Sequence, residues 1–202
     1  MPVIEIASWT ASDAYLADPK VLQPGIDYLK NVDGCISAYS GVAEEDGKTL
    51  YLLNIWETLE HHQALMKRPG YPSVLGFDPS VGEGTFTINH VEFIQDYKPA
   101  IDAPCTELLV FNLKEGKSTE DLYHGIDGIA SKVHEINAQY APVAYGEALE
   151  KDDRRVYALL GWDSKAKHLE LTAGVAYFKP WVEKLREASA FKMVHVNLEK
   201  HF

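Results

Sequence analysis

The sequence predicts an α+β fold made of two similar halves. Three observations predict it: the composition suits a folded globule, a set of aromatic and histidine residues occurs twice at one spacing, and each half alternates strand and helix patterns. The chain has 202 residues, of which 46% are hydrophobic and 24% are charged. This is enough apolar material for two small cores of roughly 100 residues each.

The repeat is carried by residue types that rarely match by chance. Seven residues recur 106 positions later in the chain. They are Tyr39, Tyr51, Leu53, Trp56, His62, Leu65 and Tyr71 in the first half, and Tyr145, Tyr157, Leu159, Trp162, His168, Leu171 and Tyr177 in the second. The triplet Gly-Ile-Asp at 25–27 recurs 100 positions later, and Phe86, His90 and Val91 recur 105 positions later. Because the offset changes only between elements, we expect two copies separated by loop insertions and deletions.

The boundary between the copies falls in a stretch that has two prolines and no periodicity. We expect the first copy to span 1–99 and the second 105–202, with 100–104 as a linker. Each copy is predicted to be a compact α+β unit.

Both copies show the same order of elements. A strand (3–10 or 106–113) precedes a helix with apolar residues at spacings of three and four, and a hairpin follows with its turn at 45–48 or 151–154. A second helix (59–66 or 165–172) and a closing strand (85–93 or 191–198) complete the copy. The order β-α-β-β-α-β predicts a ferredoxin-like unit, and two fused units can cover each other's sheets as an intramolecular pseudo-dimer.

Composition excludes several classes of function. The net charge of -11 disfavours a nucleic-acid or anionic-membrane binder, because little positive charge is present to neutralise phosphates. The sequence has no signal-peptide pattern and no apolar run of about 18 residues, so we expect a cytoplasmic protein. Cys35 and Cys105 are too few for a disulfide scaffold, and we expect both to be reduced. A small molecule is the expected partner, bound by a monomer or weak homodimer.

One segment carries a family resemblance. Residues 50–65 read Leu-Tyr-Leu-Leu-Asn-Ile-Trp-Glu-Thr-Leu-Glu-His-His-Gln-Ala-Leu, an aromatic strand that ends in Trp-Glu-Thr before an acidic helix with histidines. This segment resembles the signature of antibiotic biosynthesis monooxygenase (ABM)-like domains in the dimeric α+β barrel superfamily. Residues 155–164 are similar to the same signature in the second copy. The resemblance covers almost the whole chain and implies a tandem pair of such domains.

The resemblance implies a cleft between the sheet and the helices of each unit that hosts small aromatic, polyketide-like or other hydrophobic compounds, often in secondary metabolism. Members of the family oxidise phenols to quinones with dioxygen and no cofactor, cyclise polyketides or degrade haem, and many have no assigned activity. Fold analogy alone does not choose among these reactions.

Four residues are the candidate catalytic groups. His62 and His168 lie six positions after a tryptophan, where the resemblance implies a polar pocket residue, and a histidine there could act as a general base. The alternative is an exposed helix histidine like its neighbour His61. Glu5 and Glu107 are carboxylates within apolar strands, a costly placement unless each is paired or faces a wet cavity.

Eight further residues are candidate substrate-binding groups, and each has a purely structural alternative. Each tryptophan could wall a pocket, although packing in the core is favoured. Each strand histidine could face the cleft, although the face towards the other copy is favoured. The tyrosines could supply hydroxyl groups or simply pack. Tyr71 and Tyr177 lie where the resemblance places a pocket histidine in cyclases. The eight are Trp56, Trp162, Tyr39, Tyr145, Tyr71, Tyr177, His90 and His195.

No metal or cofactor is expected from residue spacing. No His-x3-His or Cys-x2-Cys pair occurs, and His61-His62 has no ligand type at i+4. Asn54, Trp56 and His62 supply the residue types that converge in haem-degrading relatives, but Leu160 replaces the asparagine in the second copy. No Gly-rich nucleotide loop or nucleophile elbow is present.

We therefore expect a cofactor-independent ABM-like enzyme that oxygenates a hydrophobic, phenolic or polyketide-like molecule, or cyclises or eliminates it by base catalysis. The alternative is a non-catalytic small-molecule-binding or stress-response protein of the same fold. A third possibility keeps one copy active and the other degenerate, because the segment after Leu65 is rich in Pro and Gly whereas 182–188 has a helical pattern.

Overall fold

The computed structural model describes residues 2–150 and 153–202. The described chain divides into two compact units. The first runs from the N-terminus to Glu92 and includes Glu199–Phe202, and the second is Phe93–Leu198. The predicted copy boundaries at 99 and 105 concern ancestry and stay a prediction, although Lys98–Ile101 forms a short helix in the second unit.

The first unit is an antiparallel sheet with helices. Its elements are β1 (Val3–Ala11), α1 (Asp13–Ala17), α2 (Gln23–Leu29), β2 (Cys35–Val42), β3 (Thr49–Trp56), α3 (Leu59–Met66), β4 (Val81–Val91) and the short β9 (Glu199–Lys200). The strand order is β4-β1-β3-β2-β9. Three 3-10 helices at Pro19–Leu22, Ser73–Leu75 and Asp78–Ser80 fill the connections.

Prolines explain why the first predicted helix is divided into short pieces. The Ser12 side chain accepts a hydrogen bond from the backbone N–H of Tyr15 and so caps α1. Pro19 and Pro24 then stand in the first turns of the 3-10 helix and of α2, where a missing N–H costs no helical hydrogen bond. The apolar residues of this helix pattern, Leu22, Ile26 and Leu29, are nevertheless all buried.

The second unit has a sheet of the same strand order. Its elements are α4 (Lys98–Ile101), β5 (Cys105–Leu113), α5 (Thr119–Ile136), β6 (Ala144–Glu147), β7 (Arg155–Trp162), α6 (Lys165–Thr172), α7 (Phe178–Ala188) and β8 (Ser189–Val196). The order β6-β7-β5-β8 matches β2-β3-β1-β4 of the first unit. Both units therefore have the predicted ferredoxin-like arrangement. Lys151 and Asp152, in the predicted second hairpin turn, lie outside the described residues.

Helix α5 is continuous because nothing interrupts its apolar stripe. A capping box opens it, in which Ser118 and Asp121 exchange side-chain and backbone hydrogen bonds. Leu122, Ile126 and Val133 are buried along one face.

In the described part of the chain, no helix combines the length and apolar character needed to cross a membrane.

Truncation of a core leucine should destabilise the first unit. Leu22 is 1% exposed and Leu16 is 43% exposed on a neighbouring helix. We expect Leu22→Ala to lower the free energy of unfolding by about 2–5 kcal/mol, because it removes buried methyl groups and leaves a cavity. Leu16→Ala should change it by less than about 1 kcal/mol. Urea denaturation followed by circular dichroism measures both, and equal losses would contradict the assigned burial.

Candidate functional site

A buried carboxylate lies at the centre of the first unit's sheet. Glu5 on β1 stands opposite Asn54 of β3 on one side and His90 of β4 on the other, so the strand register alone aligns these three residues. The carboxylate accepts a hydrogen bond from Trp56 Nε1 at 2.8 Å and one from Asn54 Nδ2 at 3.2 Å, both on Oε2. Glu5 is only 4% exposed.

Helix α3 places His62 over this row of residues. The His62 ring stacks on the Trp56 indole with centroids 4.8 Å apart and planes at 17°. Its Nδ1 lies 2.6 Å from His90 Nε2 and 3.5 Å from Glu5 Oε2, and its Nε2 lies 3.4 Å from the hydroxyl oxygen of Tyr71. Glu5, His62 and His90 thus form a contiguous acid–base chain, here called the first relay.

The charged and titratable groups near the first relay determine which of its neighbours carry protons. Among the described residues, no lysine or arginine forms an ion pair with Glu5, and His62 is its imidazole neighbour. Burial, and next the nearby Glu5 charge, raises the pKa of Tyr71 to about 12, which keeps this phenol protonated. The same two causes raise the pKa of Cys35 to about 12, so its thiol is a poor nucleophile.

A cavity of about 510 Å³ opens beside the first relay. Its walls are mostly apolar, and four of its polar residues, Glu5, Asn54, His62 and Tyr71, belong to the first relay or contact it. The lining comprises Glu5, Ala7, Trp9, Leu29, Leu52, Asn54, His62, Leu65, Tyr71, Pro72, Leu75, Phe77, Asp78, Val81, Phe86 and Ile88. Asn54 Oδ1 is a buried acceptor with no hydrogen-bond partner among the described residues.

The second unit contains the same arrangement, here called the second relay. Trp162 Nε1 donates to Glu107 Oε2 at 2.8 Å, and the Trp162 indole stacks on His168 with centroids 4.4 Å apart. His168 Nδ1 lies 2.8 Å from His195 Nε2 and 3.6 Å from Glu107 Oε2. The matching distances show that the two relays are built in the same way.

The surroundings of the two relays differ. Leu160 stands opposite Glu107, where the first unit has Asn54 opposite Glu5. The second cavity is smaller, about 300 Å³, and residues of α7 such as Phe178 and Val182 line it. Tyr177 is 39% exposed and does not line this cavity. Burial, and next the neighbouring His195, lowers the pKa of His168 to about 4.

Most of the residues predicted as site groups lie in or beside the relays. They are the four candidate catalytic residues, both tryptophans, both strand histidines and Tyr71. His90 and His195 lie on the sheet face that the helices cover, where they contact His62 and His168, so the favoured expectation that they face the other copy is wrong. The other three predicted residues, Tyr39, Tyr145 and Tyr177, line neither cavity. Tyr39 is buried with Lys200 Nζ over its ring, and Tyr145 donates a hydrogen bond to Asp127 Oδ1.

Sequence reasoning missed two features of the site. Asn54 was considered only with haem, although strand alternation places it on the same face as Trp56. The spacing of histidines also concealed a group of potential metal ligands. In each relay one carboxylate oxygen and two imidazole nitrogens lie within 4.8 Å of one another, but strands and a helix far apart in sequence supply them. No spacing motif reports such a group.

The fold and the relays together define a class: an α+β protein with two ferredoxin-like units, each with a buried carboxylate and two histidines beside an apolar cavity. No protein-family model and no curated protein sequence matches the chain.

Solved structures do resemble it over nearly its whole length. An anthrone oxidase-like protein has a TM-score of 0.72 at 11% identity, covering 99% of this chain and 92% of that one. A candidate monooxygenase from Fusobacterium nucleatum has a TM-score of 0.67 at 12% identity, covering 99% and 94%. Another from Lactobacillus acidophilus has 0.63 at 11% identity, covering 98% and 93%. The resemblance to the dimeric α+β barrel fold is confirmed, and monooxygenase-like proteins share it.

The low pKa of His168 should make stability depend on pH. The pKa of His168 is about 4 in the folded chain and 6.5 for an ordinary histidine. Between these two pH values the unfolded chain therefore binds a proton that the folded chain does not. The contribution of His168 is therefore present at pH 7 and is lost as the pH falls, by about 2 kcal/mol at pH 5. Urea denaturation at both values should show a shallower pH dependence for His168→Gln. His124→Gln, at an exposed position, is the matched control and should retain the dependence of the wild type.

Proposed function

We propose that the protein is a cofactor-independent, monooxygenase-like enzyme that uses His62 as the base towards a phenolic or enolisable aromatic ketone bound in the first cavity. The observation that carries this proposal is the first relay, because it sets an imidazole between a buried carboxylate chain and an apolar cavity. The structural neighbours support an oxygenase more than a cyclase or a lyase, since two of them are candidate monooxygenases and a third is an anthrone oxidase-like protein.

The hydrogen bonds suit His62 to accept a proton through Nε2. The Tyr71 hydroxyl, protonated because of its raised pKa, can donate to Nε2, while the Nδ1 proton is directed to His90 Nε2 at 2.6 Å. When a bound substrate displaces the Tyr71 hydroxyl, this tautomer presents the Nε2 lone pair to the substrate. Once Nε2 takes a proton, the imidazolium lies beside the Glu5 carboxylate, which stabilises its positive charge.

The substrate class follows from the cavity. A volume of about 510 Å³ with aromatic walls of Trp9, Phe77 and Phe86 accommodates a fused-ring aromatic compound. The buried Asn54 Oδ1 needs a hydrogen-bond donor, which a substrate hydroxyl would supply. The bound compound is therefore apolar over most of its surface and carries at least one hydroxyl at the relay end.

The reaction balances without a cofactor. Deprotonation of a CH₂ group next to a carbonyl gives an electron-rich enolate, and this anion reduces dioxygen directly. One oxygen atom enters the substrate as a new carbonyl and the other leaves as water, so that R₂CH₂ and O₂ give R₂C=O and H₂O. The protein supplies the base, the orientation and a dry site.

The alternative is that the protein only binds such molecules. A binding protein needs a cavity of the right shape but no base next to it. The burial of His62 and its place in the cavity wall support the enzyme. In the second unit, the smaller cavity and Leu160 support a weaker or different role for the second relay.

Removal of the base should abolish turnover but retain binding. We expect His62→Ala to lower kcat for oxidation of anthrone, used as a probe, by about 10²- to 10⁴-fold, the usual contribution of a general base. Its Kd for anthraquinone, an unreactive ligand, should change less than about threefold, because the ring is lost at only one end of the cavity. Oxygen consumption and fluorescence titration measure the two quantities. His61→Ala, on the same helix but outside the cavity lining, is the control, and equal rates for the two variants would reject His62 as the base.

Asn54 should discriminate between ligands by their hydroxyl groups. We expect Asn54→Leu, which copies Leu160 of the second unit, to weaken binding of 2-hydroxyanthraquinone by about 5- to 100-fold, because the ligand hydroxyl loses its buried acceptor. Binding of anthraquinone should stay within about twofold. Isothermal titration calorimetry gives both constants, and a parallel loss for the two ligands would show that the variant changed only the cavity shape.

A further inference from the structure

We infer that each relay is also a binding site for a divalent transition metal ion. The ligands are Glu5, His62 and His90 in the first unit. In the second unit they are Glu107, His168 and His195. Each set offers one carboxylate oxygen and two imidazole nitrogens, and every one of these residues is buried. Such a mixed oxygen and nitrogen set suits zinc and its first-row neighbours.

The distances between ligand atoms are close to those that an ion requires. Bonds of about 2.0–2.2 Å in tetrahedral geometry separate two ligand atoms by about 3.4 Å. The carboxylate oxygen and the helix histidine Nδ1 are already 3.5 Å apart in the first relay and 3.6 Å apart in the second. The two imidazoles are closer, at 2.6 and 2.8 Å, as two hydrogen-bonded rings are. They need to separate by less than an ångström to admit an ion.

The groups around the ligands are those that orient a metal site. A tryptophan N–H donates to the ligating carboxylate oxygen at 2.8 Å in both units, fixing its position. In the first unit the Tyr71 hydroxyl lies 3.4 Å from the second nitrogen of His62, where it can accept the N–H of a metal-bound imidazole. Partners of this kind fix the tautomer and the ring orientation of ligating histidines.

The buried charge favours a cation at this place. A carboxylate that is only 4% exposed needs a positive neighbour. Among the described residues, no lysine or arginine forms an ion pair with Glu5. A proton on the histidines or a divalent ion can meet this need. Three protein ligands leave at least one coordination position open, and Glu5 and His62 line the cavity from which it would be filled.

Metal binding and the base role of His62 exclude each other, a consequence that rests on the proposed function. An ion on Nδ1 of a neutral imidazole leaves the ring proton on Nε2. That nitrogen then has no lone pair to accept a proton from the substrate. Zinc in the first relay should therefore inhibit turnover, whereas the metal-free protein is active.

The test is a titration of tag-free protein stripped with EDTA. Co²⁺ alone is added and its visible absorption is recorded, because imidazole and carboxylate ligands in a tetrahedral site give intense bands. We expect two equivalents to bind per wild-type chain. His90→Ala and His195→Ala should each bind one equivalent, and the double variant none. His61→Ala and His124→Ala change histidines outside the relays and should bind two.

Two results would overturn the inference: no binding by the wild type at micromolar Co²⁺, or two equivalents retained by the double variant. Near-UV circular dichroism checks folding of each variant, and Glu5→Gln and Glu107→Gln replace any variant that fails this check. Zinc added during anthrone oxidation then tests the exclusion, which fails if bound zinc leaves the rate unchanged. If the metal-free protein does not oxidise anthrone, the proposed function fails, and the cobalt titration still decides the site.

Discussion

The hydrogen bond between an indole N–H and a buried carboxylate is the interaction on which each unit's site depends. Glu5 and Glu107 are buried in strands that are otherwise mostly apolar, so each anion needs donors close by. Trp56 and Trp162 end the neighbouring strand and supply that donor at 2.8 Å. The same indole carries the stacked helix histidine on its face. One residue therefore joins strand, carboxylate and helix at the strand-to-helix corner.

A comparison of the two units shows that the relay is shared, whereas the residues around its cavity differ. The carboxylate, tryptophan and two histidines have nearly the same geometry in both, whereas the residue opposite the carboxylate and the segment over the cavity differ. A 3-10 segment with Tyr71 nearby leaves a cavity of about 510 Å³ in the first unit, and helix α7 reduces the second to about 300 Å³. Differences in substrate should therefore come from the walls, since the acid–base chain is the same.

The fold was accessible from sequence because each element has a periodic pattern. Helices 59–66 and 165–172 were predicted with the bounds that the structure shows. The first helix was predicted as one piece because its apolar spacing continues through the prolines that divide it. The two-residue strand β9 was missed, since pairing so short depends on tertiary contact with β2 and leaves no pattern.

The site was only partly accessible for a physical reason. The residues of the site could be picked out from the sequence by two unusual features. A glutamate in a mostly apolar strand is costly to bury, and a histidine that recurs in both halves requires an explanation. The sequence could not show that these residues lie close together in the fold. Their proximity depends on strand register and on the position of a helix over the sheet, and local residue spacing encodes neither. Asn54 illustrates the limit, since its importance comes from a missing hydrogen-bond partner that is visible only in three dimensions.

Whether a proton or a metal ion occupies the relay determines its chemistry. With a proton between the histidines, the helix imidazole has a lone pair towards the cavity and can act as a base beside a carboxylate. An ion held by these three residues would turn the same imidazole into a hydrogen-bond donor and would supply Lewis-acid chemistry in place of base catalysis. A separation of the two imidazole nitrogens by less than an ångström would be enough to convert one state into the other. A shared fold is therefore compatible with either chemistry. What decides between them is whether a proton or a metal ion lies between the three ligand atoms of the relay.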